Sequence, residues 1–268
     1  KTSQSFVFDN IDSEPTPSLL RNFSAPVNLD CALTDAQWLT LLANDTDAFN
    51  RWEAGQRLAV QAALRFIRNQ RNPLTEPVLD EDYLNAMRAV LTHAQLDAAF
   101  KELVLFLPSE TYISEQLESV DPQYVHAVRE AMRLQLATAL QEDWVWAFHH
   151  HVSKGSYQTD AAACGQRALR GMALVYLCLA GQRQADNTWA QHALAVFEKA
   201  SNMTERMHGL AALVHIDHPY AAAALSRFHA MFKHEELVLD KWFALQASAS
   251  GSQVDVLSKV RQLMQHPD

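Results

Sequence analysis

The sequence contains little glycine and proline, the two residues that most often mark turns and loops. Its 268 residues include only 7 glycines and 9 prolines, which is about half of what average usage would supply. Sheet sandwiches and nucleotide-binding α/β folds usually need more glycine for tight turns and phosphate loops. The shortage therefore favours a mostly helical protein, and the 49% of hydrophobic residues suffice for a sizeable core.

Positive charge is also scarce. Lysine and arginine number 22 against 31 aspartates and glutamates, so the formal net charge is −9. Such a chain on average repels a phosphate backbone and an anionic membrane surface, and we expect neither nucleic acid nor membrane as a partner. No run of apolar residues approaches the roughly 18 that a membrane-spanning helix needs.

Cysteine is the third scarce residue. The sequence has three cysteines, an odd number, and no Cys-x-x-Cys pair occurs. They are Cys31, Cys164 and Cys178. Cys164 and Cys178 lie in alanine-rich sequence of helical character. Unpaired thiols of this kind are typical of a reducing compartment, so we predict free cysteines and a cytoplasmic location.

The first thirty residues differ in pattern from the rest. Residues 4–11 place Phe6 and Phe8 at alternating positions, and residues 23–29 form an extended stretch whose Pro26 suits an edge strand or a wrapping segment. Both segments are therefore predicted to be short β-strands. Because two isolated strands are only marginally stable, we assign residues 1–30 to the end of a preceding β-domain.

From about residue 34 the hydrophobic residues recur with a helical period. Helices of roughly two to five turns with short connections predict an irregular α-solenoid of helix pairs, similar to HEAT and armadillo superhelices, over residues 31–268. The chain is thus expected to be all-α after its first strands. The predicted helices include residues 47–70, 121–148, 159–180 (ended by Gly181), 185–200, 203–217, 219–231, 235–248 and 252–266.

The sequence shows no motif for catalysis or metal binding. Residues 149–151 are three consecutive histidines, and neighbouring helix positions point about 100° apart, so they cannot converge on one ion. His234 and Glu235 would begin the HExxH motif of zinc proteases, but Val238 stands where the second histidine is required. No GxSxG, P-loop or GxGxxG segment occurs. The motifs alone therefore leave two classes of protein open: an interaction scaffold, or a non-catalytic part of a larger enzyme.

Several segments, taken in order, carry a resemblance to one enzyme family. They are SFVFDN at 5–10, PSLLRNFSAPV at 17–27, DAFNRWEAGQ at 47–56, LPSE at 107–110, VDP at 120–122 followed by His126, Val128, Arg129 and Glu130, ASNMT at 200–204, and VLDKWF at 238–243. Together they resemble the C-terminal part of bacterial aminopeptidase N, the zinc-dependent alanyl aminopeptidases of the gluzincin class. The similarity extends over essentially the whole chain.

The resemblance implies an enzyme of four parts: an N-terminal β-domain, a thermolysin-like catalytic domain, a small β-sandwich and a C-terminal helical superhelix. This chain would be the end of the sandwich and most of the superhelix, truncated at its C-terminal end. The family's HExxH and GxMEN motifs are missing here. We therefore expect no catalytic residue, no metal ligand and no cofactor in this chain, with zinc held elsewhere in the parent enzyme.

The function implied by the resemblance is that of a non-catalytic domain. It would close over the catalytic domain of the same polypeptide and restrict the access of peptide substrates to the zinc site. A free-standing helical-repeat scaffold that binds a peptide or protein is the alternative, and an unrecognised hydrolase is a third. Candidate structural or interdomain residues are Arg51, Trp52, Asp240, Lys241, Trp242 and Phe243. The three aromatic members are expected to anchor the core.

Overall fold

The computed structural model describes residues 4–27, 29–153, 155–249 and 256–267. These residues form one short 3₁₀ turn, Arg21–Phe23, and thirteen α-helices. The helices are α1 Asp35–Asn44, α2 Ala48–Arg68, α3 Glu81–Thr92, α4 Ala98–Leu105, α5 Glu110–Ser114, α6 Pro122–Ala139, α7 Gln141–His150, α8 Ala161–Arg183, α9 Thr188–Lys199, α10 Met203–His215, α11 Tyr220–Phe232, α12 Glu236–Ala247 and α13 Val256–Leu263. The all-α prediction is confirmed for this part of the chain.

Short polar residues determine where most helices begin. Eight helices start after a residue whose side-chain oxygen accepts a hydrogen bond from the backbone of the first turn, which satisfies a donor that the helix leaves free. These residues are Thr34, Asp47, Asp80, Asp97, Ser109, Asp121, Asp160 and Asn202. Defined starts keep the connections short, so consecutive helices stack against one another.

Helix α8 lies at the centre of the packing. It contacts α4, α6, α7, α9 and α10, whereas α1 packs on α2, α9 on α10, and α11 on both α10 and α12. One continuous hydrophobic core connects these helices, and its largest fully buried side chains include Trp144, Phe66 and Phe197. Within the described residues, no helix combines the length and apolar character needed to span a membrane.

The two predicted strands are not formed. None of residues 4–11 is in a strand, and neither is any described residue of 23–29; Asn28 lies outside the described residues. Phe6, Val7 and Phe8 are 71%, 83% and 77% exposed. A strand needs a neighbouring strand to receive its backbone hydrogen bonds, and no strand lies beside this segment in the part of the chain that the structure describes.

Several predicted helix boundaries are also wrong. The segment expected to be one helix over 121–148 is two helices, because Leu140 has non-helical dihedral angles (φ −108°, ψ 23°). Gly181 does not end α8 but is buried inside it. Helices α3 to α5 were not anticipated, and the predicted start of the last helix at residue 252 lies outside the described residues.

The segment before α1 is held to the α1–α2 connection by a group that we call the N-terminal clasp, formed by Arg21, Asn22, Asp45 and Asp47. Arg21 Nη1 donates a hydrogen bond to Asp45 Oδ1 over 2.7 Å, and the Asn22 backbone N–H donates to Asp47 Oδ2 over 2.9 Å. The Asp45 side chain is only 1% exposed. Leu20 and Asn22 have positive φ angles of 53° and 54°, a conformation that non-glycine residues keep only when their surroundings hold them.

Candidate functional site

The candidate site is a cavity of about 1470 Å³ on one side of α8. Its wall is formed by α8 together with parts of α4, α5, α6 and α10 and the end of α12. A drug-sized ligand usually fits in a pocket of roughly 300–1,000 Å³. The space is therefore large enough for a short peptide.

The floor of the cavity is one face of α8. Ala168, Met172, Val175 and Leu179 line it, and their spacing of three and four residues places them on the same side of a helix. Gly171 lies on this face, where an added Cβ would come within 2.2 Å of His208 Nδ1. The absence of a side chain at Gly171 therefore lets the His208 ring approach the α8 backbone.

Helix α6 supplies paired charges to the cavity wall. Arg133 Nη1 donates to both carboxylate oxygens of Glu130, over 2.9 and 2.8 Å. Arg129 Nε donates to the Pro108 carbonyl oxygen over 2.7 Å, which connects α6 to the residue just before the cap of α5. Both arginine side chains are 15% exposed. This wall is thus polar, with the guanidinium groups of Arg129 and Arg133 both beside the single carboxylate of Glu130.

Two half-buried histidines of α10, His208 and His215, complete the far side of the cavity. Burial, reinforced by the charge of Arg133, lowers the pKa of His215 to about 4, and its Nδ1 atom is buried without a hydrogen-bond partner among the described residues. Burial also lowers the pKa of His208. Both rings are neutral at pH 7, so they offer hydrogen-bonding nitrogens rather than positive charge.

A group of three possible metal ligands lies at the α5–α6 side. His126 Nδ1 is 2.9 Å from Glu110 Oε1, and one ligand atom from each of Glu110, His126 and Glu130 lies within 4.8 Å of the other two. His126 and Glu130 are four residues apart on α6, so both project from the same side of the helix. All three side chains are partly exposed toward the cavity.

The sequence did not single out this group as a site. In the sequence, these three residues stand out only because they belong to the segments that resemble aminopeptidase N. They are His126, Glu130 and Glu110. The His126–Glu130 spacing was a usable signal, since i, i+4 pairs share a helix face. Glu110 could not be added, because its approach depends on how α5 folds back on α6.

Among the predicted structural residues, Arg51 and Trp52 lie on α2 outside the cavity lining. Arg51 is buried, and its guanidinium donates to the Leu42 carbonyl oxygen over 2.7 Å and to the Ala43 carbonyl oxygen. These carbonyls end α1 and have no partner within their own helix. Trp52 is half-buried against the core, with its ring 5.6 Å from that of Phe49.

The second predicted group, on α12, is also outside the cavity lining. Trp242 is buried, and its Nε1 donates to the Leu225 carbonyl oxygen of α11 over 3.0 Å. Phe243 is half-buried and meets the Trp242 ring edge-on at 4.9 Å. Asp240 and Lys241 are exposed. The structure thus brings Trp242 and Phe243 together in packing and leaves the charged pair on the surface.

Comparisons with known proteins match both parts of the chain. A family model described as a domain of unknown function with ARM repeats (DUF3458_C) matches residues 35–268, and one with an Ig-like fold (DUF3458) matches residues 1–32. Aminopeptidase N of Caulobacter vibrioides is 37% identical over 262 residues, which are 97% of this chain and 29% of that protein. Aminopeptidase N of Escherichia coli is 34% identical over 268 residues, 99% of this chain and 30% of that protein.

A solved structure shows the same architecture. The crystal structure of Legionella pneumophila aminopeptidase A in complex with aspartic acid superposes with a TM-score of 0.80 and 26% sequence identity. The match covers 97% of this chain and 30% of that one. The chain therefore spans about 30% of the length of the proteins it resembles.

Proposed function

This chain belongs to the family of ARM-repeat domains that forms the C-terminal helical region of aminopeptidase N, and on that premise we propose that it closes over the catalytic domain of a larger aminopeptidase. In this position it would limit which peptides reach the active site. The observation that carries the proposal is the cavity of about 1470 Å³ on the side of α8. A concave wall of packed helices admits an extended peptide and excludes a folded protein by size.

The proposed division of the chain follows the expectation from sequence. Residues 1–30 would complete a preceding β-sandwich, and residues 31–268 would form the helical domain. The family matches over 1–32 and 35–268 support this boundary. So does the exposure of Phe6 and Phe8, since apolar side chains at alternating positions suit a strand that packs on another sheet.

The residues of this chain do not fit the catalytic zinc of the family. Neither HExxH nor GxMEN occurs in the sequence, and the Glu110–His126–Glu130 group offers one histidine where the motif supplies two. We propose that another part of the polypeptide would hold the zinc ion, which would supply Lewis-acid chemistry there. A cytoplasmic location is supported by three cysteines that are all free thiols.

The test is a chimera in which this chain replaces the matching region of the Escherichia coli relative. kcat/KM is measured for alanyl peptides of increasing length and for a small chromogenic alanyl substrate. In the chimera, Met172→Trp narrows the cavity floor and is expected to reduce turnover of the longest peptides, while the small substrate is turned over as before. Gln166→Trp, on an exposed position of the same helix, is the matched control and should change neither.

Equal loss for short and long substrates, or no loss at all, would contradict a role in access. The chain alone, supplied with zinc, is expected to leave the chromogenic substrate intact. Turnover that survives repurification and scales with protein concentration would instead identify a hydrolase. Tight binding of free peptides by the isolated chain, with no effect of Met172→Trp in the chimera, would favour the free-standing scaffold.

A further inference from the structure

We propose that Glu110, His126 and Glu130 form a binding site for a divalent transition-metal ion in the cavity wall. The existence of this site does not depend on the role proposed above. The three side chains come from two helices that pack against each other, α5 and α6. They contribute one imidazole and two carboxylates, a donor set found in zinc and manganese proteins.

The geometry requires little rearrangement. Ligand atoms around a tetrahedral zinc ion are about 3.3 Å apart when each bond is 2.0–2.2 Å long. Glu110 and His126 are already at 2.9 Å, and no pair among the three exceeds 4.8 Å. The flexible Glu130 side chain has to turn toward the other two to close the remaining gap, and the open cavity leaves room for water as a fourth ligand.

The start of α5, which carries Glu110, is held in place by neighbouring groups. Ser109 caps α5 by accepting a hydrogen bond from the Tyr112 backbone N–H, which fixes the start of the helix that carries Glu110. Arg129 Nε, bound to the Pro108 carbonyl oxygen, fixes that start relative to α6. Such supporting contacts orient metal ligands and determine much of a site's affinity.

Arg133 moderates the strength of the site. Its guanidinium binds both oxygens of Glu130, and its positive charge opposes a second cation. Each carboxylate oxygen has two lone pairs, so Glu130 can accept from Arg133 and still donate to a metal. We therefore expect reversible binding of zinc, manganese or cobalt. Magnesium and calcium, which prefer all-oxygen surroundings, should bind far more weakly.

The test is titration of the intact chain with zinc by isothermal calorimetry, with the visible absorption of cobalt as a second readout. One zinc ion per chain is expected to bind at this site. Glu110→Gln and His126→Asn should each weaken that binding about tenfold or more. Controls are Glu115→Gln, an exposed residue at the end of the same short helix, and His234→Asn, an exposed histidine in the turn between α11 and α12; both should bind zinc as the parent chain does.

Circular dichroism of each variant shows whether the fold is kept, because the ligand side chains are partly exposed and their loss should leave the helices intact. Zinc affinity that is unchanged in both Glu110→Gln and His126→Asn overturns the proposal. So does equal weakening in the two control variants, which would assign the ion to scattered surface groups. Binding of magnesium as tight as that of zinc would also refute a site that uses an imidazole.

Discussion

The contact between α9 and α10 makes a sharp prediction for Gly209→Ala. A Cβ built at Gly209 would lie 2.6 Å from the Phe197 backbone nitrogen and 2.7 Å from the Ala193 carbonyl oxygen. These distances are about 0.8 Å shorter than an ordinary van der Waals contact. Because both neighbours are backbone atoms of α9, only a shift of one whole helix against the other can relieve the overlap.

The cost of this shift can be set against the gain in helix propensity. Overpacking a well-packed interior costs about 1–3 kcal/mol, and alanine gains up to about 1 kcal/mol over glycine inside a helix. Because the overlap is with backbone atoms that cannot swing away, the upper part of the cost range applies, and we expect Gly209→Ala to lower the free energy of unfolding by about 1–2 kcal/mol. At Gly55 the nearest atoms are flexible ends of Leu42 and Met87 at 3.4 Å. Gly55→Ala should therefore keep the propensity gain and stabilise the protein by up to about 1 kcal/mol.

The assay is urea unfolding followed by far-UV circular dichroism, with thermal melts in parallel. A change of 1 kcal/mol shifts Tm by about 2–4 °C in a domain of roughly this size, so the two variants should move in opposite directions. Gly165→Ala is expected to follow Gly209→Ala, because its Cβ would lie 2.6 Å from the Ala99 backbone nitrogen. A Gly209→Ala protein as stable as the parent would refute the reasoning from close helix approach.

Two further predictions concern Arg51 and His215. Arg51→Leu leaves the carbonyls at the end of α1 without their donor. We expect this variant to lose about 1–3 kcal/mol of the free energy of unfolding measured in urea. Arg227→Leu, the control, breaks an exposed ion pair and should cost less than about 1 kcal/mol. Burial lowers the pKa of His215 from 6.5 to about 4. Between pH 6.5 and about 4, the unfolded chain therefore takes up a proton at this histidine and the folded chain does not. The free energy of unfolding consequently falls as the pH drops through that window. His215→Leu should weaken this pH dependence by up to about 3 kcal/mol, and an unchanged pH profile would contradict the burial of a neutral imidazole.

Helix starts were the most predictable part of the fold. Asp121 followed by Pro122, and Asn202 three residues before Glu205, are local signals that act through the backbone of the first turn alone. The structure begins α6 and α10 at these residues. The resemblance to aminopeptidase N is likewise confirmed by relatives that match nearly the whole chain.

The helix break at Leu140, the missing strands and the Glu110–His126–Glu130 group depend on tertiary contacts that no local sequence pattern contains. The segment around Leu140 reads as continuous helix, yet the chain turns there and Trp144 Nε1 donates back to the Leu136 carbonyl oxygen. Phe6 and Phe8 alternate as in a strand, but strand formation needs a partner strand. In the sequence, Arg51 resembles an ordinary surface arginine. Its buried hydrogen bonds become visible only in the folded chain, where α1 lies beside it.

The N-terminal clasp sets a length limit on whatever precedes the helical domain. Residues 4–20 lie before the clasp, and a fully extended chain spans at most about 3.3–3.6 Å per residue. A unit joined to residue 4 can therefore be no farther than roughly 60 Å from the clasp, and each residue of the tether that pairs with a sheet shortens this distance. Because Asp45 and Asp47 hold the other end of the tether, movement of the preceding unit would be transmitted to the α1–α2 connection before it reaches any other helix.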